Sequence, residues 1–185
     1  MHRYSSLIFG LLAFAALALQ PAQAADNLFW QNPVIKGAGK VHPMPDAAFQ
    51  PNPKTTYKAI FSDTGGSSDP KEVNGGLDHV ARAVNLFASA HVPMKHLKFV
   101  VILHGKATPV ALDNEHYQKE FGVDNPNLAL IKELEAKGVQ IAVCSQAVAG
   151  FKYDYKWINP DVKVALSALS TIIILEDKGY ALFPM

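Results

Sequence analysis

Apolar residues fall in two rhythms along the chain. Short continuous runs at Tyr57–Asp63 (YKAIFSD), Leu97–Gly105 (LKFVVILHG) and Val139–Cys144 read as strands, the second being the pattern of a strand covered on both faces. Between them the spacing turns helical. Leu77, Val80, Val84, Phe87 and Ala88 share one face of a helix over Leu77–Val92, which Pro93 stops. DNEHYQKEFG predicts a short helix capped by Asp113 and ended at Gly122. NLALIKELEAKG, after Asn125-Pro126, predicts a longer one with Leu128, Ile131 and Leu134 inward and Gly138 as its stop. Thr64–Gly76 reads as a loop or loose helix start, and Ala107–Leu112 as a loop.

The last stretch carries two signals. VKVAL (Val162–Leu166) fits a fourth strand. SALSTIIILEDKGY is rich in β-branched residues that favour a strand. It also begins with a capping serine, Ser167, closes with charges and Gly179, and precedes a second apolar run. A helix over 167–178 and a strand over 180–184 reconcile these features. The order β-α-β-α-α-β-α-β-α-β then predicts a three-layer α/β/α fold. Its sheet is five-stranded, mostly parallel and covered on both faces, with a flavodoxin-like topology.

Residues 1–54 follow neither rhythm. Arg3 precedes an unbroken apolar stretch, Leu7–Leu19, and Ala22-Gln23-Ala24 is a small-x-small cleavage site. Residues 1–24 read as a secretory signal peptide, too short to span a membrane. No later stretch is long enough to span one, so no membrane span is expected after cleavage. In a Gram-negative source the mature protein is periplasmic. Residues 25–54 hold five of the twelve prolines and predict an extended arm with a short hairpin around VIKGAGKV. Phe29, Trp30, Val34, Ile35 and Phe49 are too apolar for a free linker, so the arm is expected to pack on the domain, 55–185, or on a neighbouring subunit.

Charge narrows the partners. The formal net charge is +1, and removing residues 1–24 takes away Arg3 and leaves sixteen charges of each sign. A neutral mature chain argues against nucleic acid or anionic membrane as partner. Apolar residues outside the predicted elements, among them Phe29, Trp30, Phe151 and Trp157, need burial, and with no net charge to oppose association they predict a homo-oligomer. One cysteine permits no internal disulfide, so the fold stands on packing.

That cysteine, Cys144, is the first candidate for chemistry. It falls where the third strand turns into a helix capped by Ser145, at the sheet edge where ligands gather in α/β folds. A helix N-terminus favours thiolate over thiol. The competing reading is a small buried hydrophobe. His104 ends the second strand and would share that edge, either to activate the thiol or shuttle a proton, or to orient a turn. Asp63, Asn85 and Gln146 are the candidate ligand-binding residues, with capping by Asp63 and structural bonding by Asn85 as the alternatives. Tyr153, Tyr155 and Trp157 form an aromatic wall beside the cysteine, a core edge or an oligomer contact. No GxGxxG, Walker loop, GxSxG, HExxH or CxxC is present, so no cofactor or metal is expected. A metal held by His104 and Cys144 is the weakest alternative.

FVVILHG (99–105), GVQIAVCSQAV (138–148), DVKVALSAL (161–169) and GYALF (179–183) together resemble the DsrE/DsrF-like family, in its secreted, single-domain branch, over Tyr57–Pro184. The resemblance implies trimers or hexamers. In sulfur-relay members a cysteine after the third strand carries a persulfide between partner proteins, and Cys144 matches that position. Two functions are therefore expected. One is a sulfur carrier or thiol-handling protein that exchanges sulfur at Cys144 with a donor or acceptor protein or a small sulfur compound. The other is a non-catalytic oligomeric module that binds a small ligand and keeps Cys144 for structure.

Overall fold

The structure is a computed structural model that describes residues 29–185; the expected signal peptide and the start of the arm lie outside these residues. Five strands form one parallel sheet: β1 (Tyr57–Asp63), β2 (Leu97–Leu103), β3 (Gln140–Cys144), β4 (Lys163–Ala165) and β5 (Ala181–Pro184). Five α-helices connect them: α1 (Gly75–Ser89), α2 (Asn114–Phe121), α3 (Leu128–Ala136), α4 (Ser145–Gly150) and α5 (Ala168–Asp177). The alternation is the one the apolar rhythm predicts. Ser167 caps α5 by accepting the Ser170 N–H at 2.9 Å, which explains why a β-branched segment is helical here. Most of Ala107–Leu112, expected as a loop, is wound into the 3₁₀ turns of Gly105–Ala111. Helix α1 starts earlier than expected because the Asn74 side chain accepts the Leu77 N–H at 2.8 Å.

Across the sheet the strands run β4-β3-β2-β1-β5. The parallel α/β/α expectation stands, but the flavodoxin order of 2-1-3-4-5 does not, because β5 rather than β2 takes the outer side of β1. This order decides how the faces are covered. From β1 to β4 the chain steps in one direction, so right-handed crossovers keep α1 to α4 on one face. From β4 it returns across the whole sheet to β5, which puts α5 on the other.

The two faces bury unequal cores. Alternate strand residues such as Phe61, Val101, Leu103, Ile141 and Val143 join Leu77, Val84, Ile131 and Leu134 in the large cluster. The opposite set, Ile60, Ile102, Ala142 and Cys144, meets chiefly α5, through Ala168, Ile172 and Leu175, with Ala147 of α4 and Tyr180 at its border.

The arm docks on the first face. Gln31 and Val41 exchange both backbone hydrogen bonds, at 2.9 and 3.0 Å, and close the hairpin expected around VIKGAGKV. Ile35 inserts fully into the core. Gly39 has φ +63° and lies so close to α1 that a β-carbon there would overlap the Ala81–Arg82 backbone.

Candidate functional site

Cys144 is the last residue of β3 and the cap residue of α4. Strands β3 and β4 are neighbours, in register Cys144↔Ala165, yet the helices that follow them go to opposite faces. Parallel sheets bind ligands at such a switch point, outside the carboxyl ends of the strands. A shallow open cleft of about 270 Å³ lies there, lined by Ser145, Tyr155, Val164, Ala165 and Leu166. Its rim is tied together by hydrogen bonds. Ser145 Oγ donates to the Leu166 carbonyl at 2.7 Å, and the Tyr155 hydroxyl donates to the Ser145 carbonyl at 3.3 Å. The Cys144 residue itself is 6% exposed, packed with Ala142 and Ala168 and bordered by Ala147 and Ala165.

His104 follows β2, and the pairing Leu103↔Val143 brings it beside Cys144 as the next register position. Its backbone is extended, with φ −155°. The ring, however, serves β1: Nε2 and Ser62 Oγ share a hydrogen bond of 2.8 Å. Among the described residues no hydrogen bond joins the imidazole to the thiol. Burial lowers the His104 pKa below its ordinary value, so the ring is neutral near pH 7. A neutral ring can accept a proton from a thiol but offers the thiolate no positive charge. Ser62 was not singled out in the sequence, and a lone serine in an apolar strand gives little signal for this pairing.

Asp63 ends β1 and is 1% exposed. Its Oδ1 accepts the Gly65 N–H at 2.9 Å, while Oδ2 is buried without a partner. Desolvation raises its pKa, against the opposing pull of Gly65, Asn74 and His79. The carboxylate lies against Gly76, at the start of α1, where a β-carbon would overlap it. Asp63 thus acts in the turn after β1, as the capping alternative anticipated, and sits at the same sheet edge as His104, whose N–H donates to the Asp63 carbonyl at 3.0 Å.

The other two candidates lie apart from each other. Gln146 is exposed on α4, beside Cys144, and its amide donates to the Leu166 carbonyl at 3.3 Å. Asn85 belongs to the opposite face and is fully buried beneath the arm. Its Oδ1 accepts from the Val34 and Ile35 N–H groups, and its Nδ2 donates to the carbonyls of Ile35, Ala38 and Gly39, all within 2.9–3.1 Å. That side chain has no capacity left for a ligand, so ligand binding by Asn85 gives way to the structural role. Of the three aromatics, Tyr155 borders the cysteine cleft, whereas Tyr153 and Trp157 pack against the large core on the other face.

No curated protein sequence matches the chain. Among solved structures, a protein of unknown function, MTH1491 from Methanobacterium thermoautotrophicum, is similar over 70% of this chain and 99% of its own, at 17% identity and a TM-score of 0.44. The model of the DsrE/DsrF-like family matches residues 59–184, from the first strand to the last, and the chain belongs to that family.

Proposed function

We propose that this protein carries sulfane sulfur, or handles a thiol, at Cys144, as a periplasmic homo-oligomer. The observation that supports this most is the location of Cys144 at the switch point between β3 and β4, beside an open cleft. Family membership supports a sulfur-relay relation. In the transfer the Cys144 thiolate attacks the outer sulfur of a donor persulfide. A new S–S bond forms on Cys144, the donor's S–S bond breaks, and the donor leaves as a thiolate, with no net oxidation. In this reading His104 takes the thiol proton once its ring leaves Ser62. The periplasmic location rests on the sequence of residues 1–24, with cleavage after Ala24.

The burial of Cys144 favours a second reading, a binding module with a structural cysteine. Intact-mass analysis of protein treated with a small polysulfide, paired with alkylation rates of the native and unfolded chain, separates the two. A carrier gains sulfur on Cys144 and loses that gain in Cys144→Ser, with the fold intact. A structural cysteine resists alkylation until the chain unfolds, and Cys144→Ser lowers the melting temperature, because a buried hydroxyl lacks a partner.

A further inference from the structure

A second cleft, of about 320 Å³, opens at the carboxyl edge of the sheet on the face opposite Cys144. The loop after β1, the turns after β2, helix α2 and the segment after α4 enclose it. Its walls are two aromatic pairs. Tyr117 and Phe121 have ring centroids 4.6 Å apart, and Phe151 and Tyr153 stack at 5.5 Å with an interplanar angle of 30°. Its volume is at the lower end of the roughly 300–1,000 Å³ of small-molecule sites.

Two opposite charges line this apolar space, Lys106 and Glu120. They do not pair with each other: among the described residues the ion pairs are Arg82–Asp78 and His116–Asp113. Neither charge is therefore neutralised by an ion pair, and the Glu120 carboxylate also faces the Tyr153 hydroxyl. Glu120 lies near the Tyr153 hydroxyl, and burial together with that carboxylate pushes the Tyr153 pKa up to about 12, which keeps the phenol a hydrogen-bond donor. The neighbouring Tyr117 hydroxyl is already used, donating to the Pro70 carbonyl at 3.0 Å, and fixes one wall against the loop.

We propose that the cleft bounded by Lys106, Glu120, Tyr117, Phe121, Phe151 and Tyr153 binds a small zwitterion with an apolar body, of the α-amino-acid class. Glu120 takes the ammonium, Lys106 takes the carboxylate, and the body lies between the aromatic pairs. The ammonium also gains from the aromatic faces. The site does not depend on the sulfur chemistry of Cys144, which lies beyond the sheet.

Isothermal titration of the full mature protein with L-phenylalanine, phenethylamine and 3-phenylpropionate tests this. L-phenylalanine is expected to bind at least about tenfold more tightly than either singly charged analogue, since each lost charge contact is of the order of 1.5 kcal/mol or more. Glu120→Gln should erase the advantage of phenylalanine over 3-phenylpropionate, and Lys106→Met its advantage over phenethylamine. Both side chains are at the surface, and far-UV circular dichroism verifies the fold of each variant. Absence of phenylalanine binding, or equal binding of the three compounds by the wild-type protein, overturns the proposal without reference to any variant.

Discussion

Asp63 and His104 end neighbouring strands, and burial moves their ionisation in ways that oppose each other's effect on stability. An aspartate whose folded pKa lies above its unfolded value of 3.8 binds protons more readily when folded. Its ionised form costs stability at neutral pH, and the cost is relieved as pH falls through the folded value toward 3.8. His104 runs the other way. Its folded pKa lies below 6.5, so folding favours the neutral ring. That stability is complete above pH 6.5 and is lost as pH falls from there through the folded value. Urea denaturation across the weakly acidic range should therefore show His104→Gln losing less stability on acidification than the wild type. Asp63→Asn should lose more, because the compensating gain is gone. An unchanged pH profile in both would show that neither group is linked to folding. Gly76 gives a sharper test of the same buried carboxylate. A β-carbon at that position overlaps Asp63, so Gly76→Ala is expected to cost about 1–3 kcal/mol through overpacking, despite alanine's better helix propensity. Asp63→Ala in the Gly76→Ala background should return part of it, and strictly additive losses would contradict the contact.

At the scale of elements, the arm is held chiefly by one side chain of α1, Asn85, with Asp78 accepting the Gly39 N–H at 2.7 Å beside it. Asn85 makes five hydrogen bonds to backbone groups between Val34 and Gly39, and it is fully buried. Asn85→Ala leaves several of those groups buried without partners and is expected to cost about 3 kcal/mol or more, since each orphaned group costs about 1–3 kcal/mol. It should also open the arm to trypsin at Lys36 and Lys40 while the domain core stays resistant. An unchanged cleavage pattern would mean that Ile35, together with the Asp78 and Glu133 carboxylates that accept the Gly39 and Lys36 N–H groups at 2.7 and 2.8 Å, anchors the hairpin without Asn85. This contact shows where reading the sequence stops. The strands were legible because burial on both faces leaves continuous apolar runs, and α5 was legible because Ser167 and Gly179 outweigh its β-branched residues. The partner of Asn85 was not, because it lies some fifty residues away and hydrogen bonding leaves no periodic trace. For the same reason the sequence brought His104 and Cys144 to one edge but could not show that the imidazole turns to Ser62. The strand order escaped too, since β5 could return to either edge of the sheet without altering any local pattern.

For the whole molecule, the winding of the chain leaves one face short of cover. Four helices pack on the first face and α5 alone on the second. The outer side of α5 and its approach are apolar and open: Leu166 is 75% exposed, Leu169 78% and Ile173 67%. Apolar side chains clustered at one place mark an interaction surface, whereas scattered ones do not. The open sheet edges are weaker candidates, because β4 has three residues and β5 four, too few for extensive strand addition. We propose that the expected homo-oligomer would be built on α5, in the layer that packs with Cys144, where association would add to the covering of that residue. Burying one such side chain contributes about 1.5–3 kcal/mol, and a symmetric assembly repeats the contribution in every subunit. Ile173→Asp reverses it and buries a charge as well. Light scattering is expected to find the wild type as a trimer or hexamer and Ile173→Asp as a monomer with unchanged circular dichroism. The alkylation rate of Cys144 should rise in that monomer, because a layer of its covering has gone. A wild type that is monomeric at micromolar concentration would refute the assembly. A variant that dissociates without any change in thiol reactivity would show that the interface lies away from the cysteine.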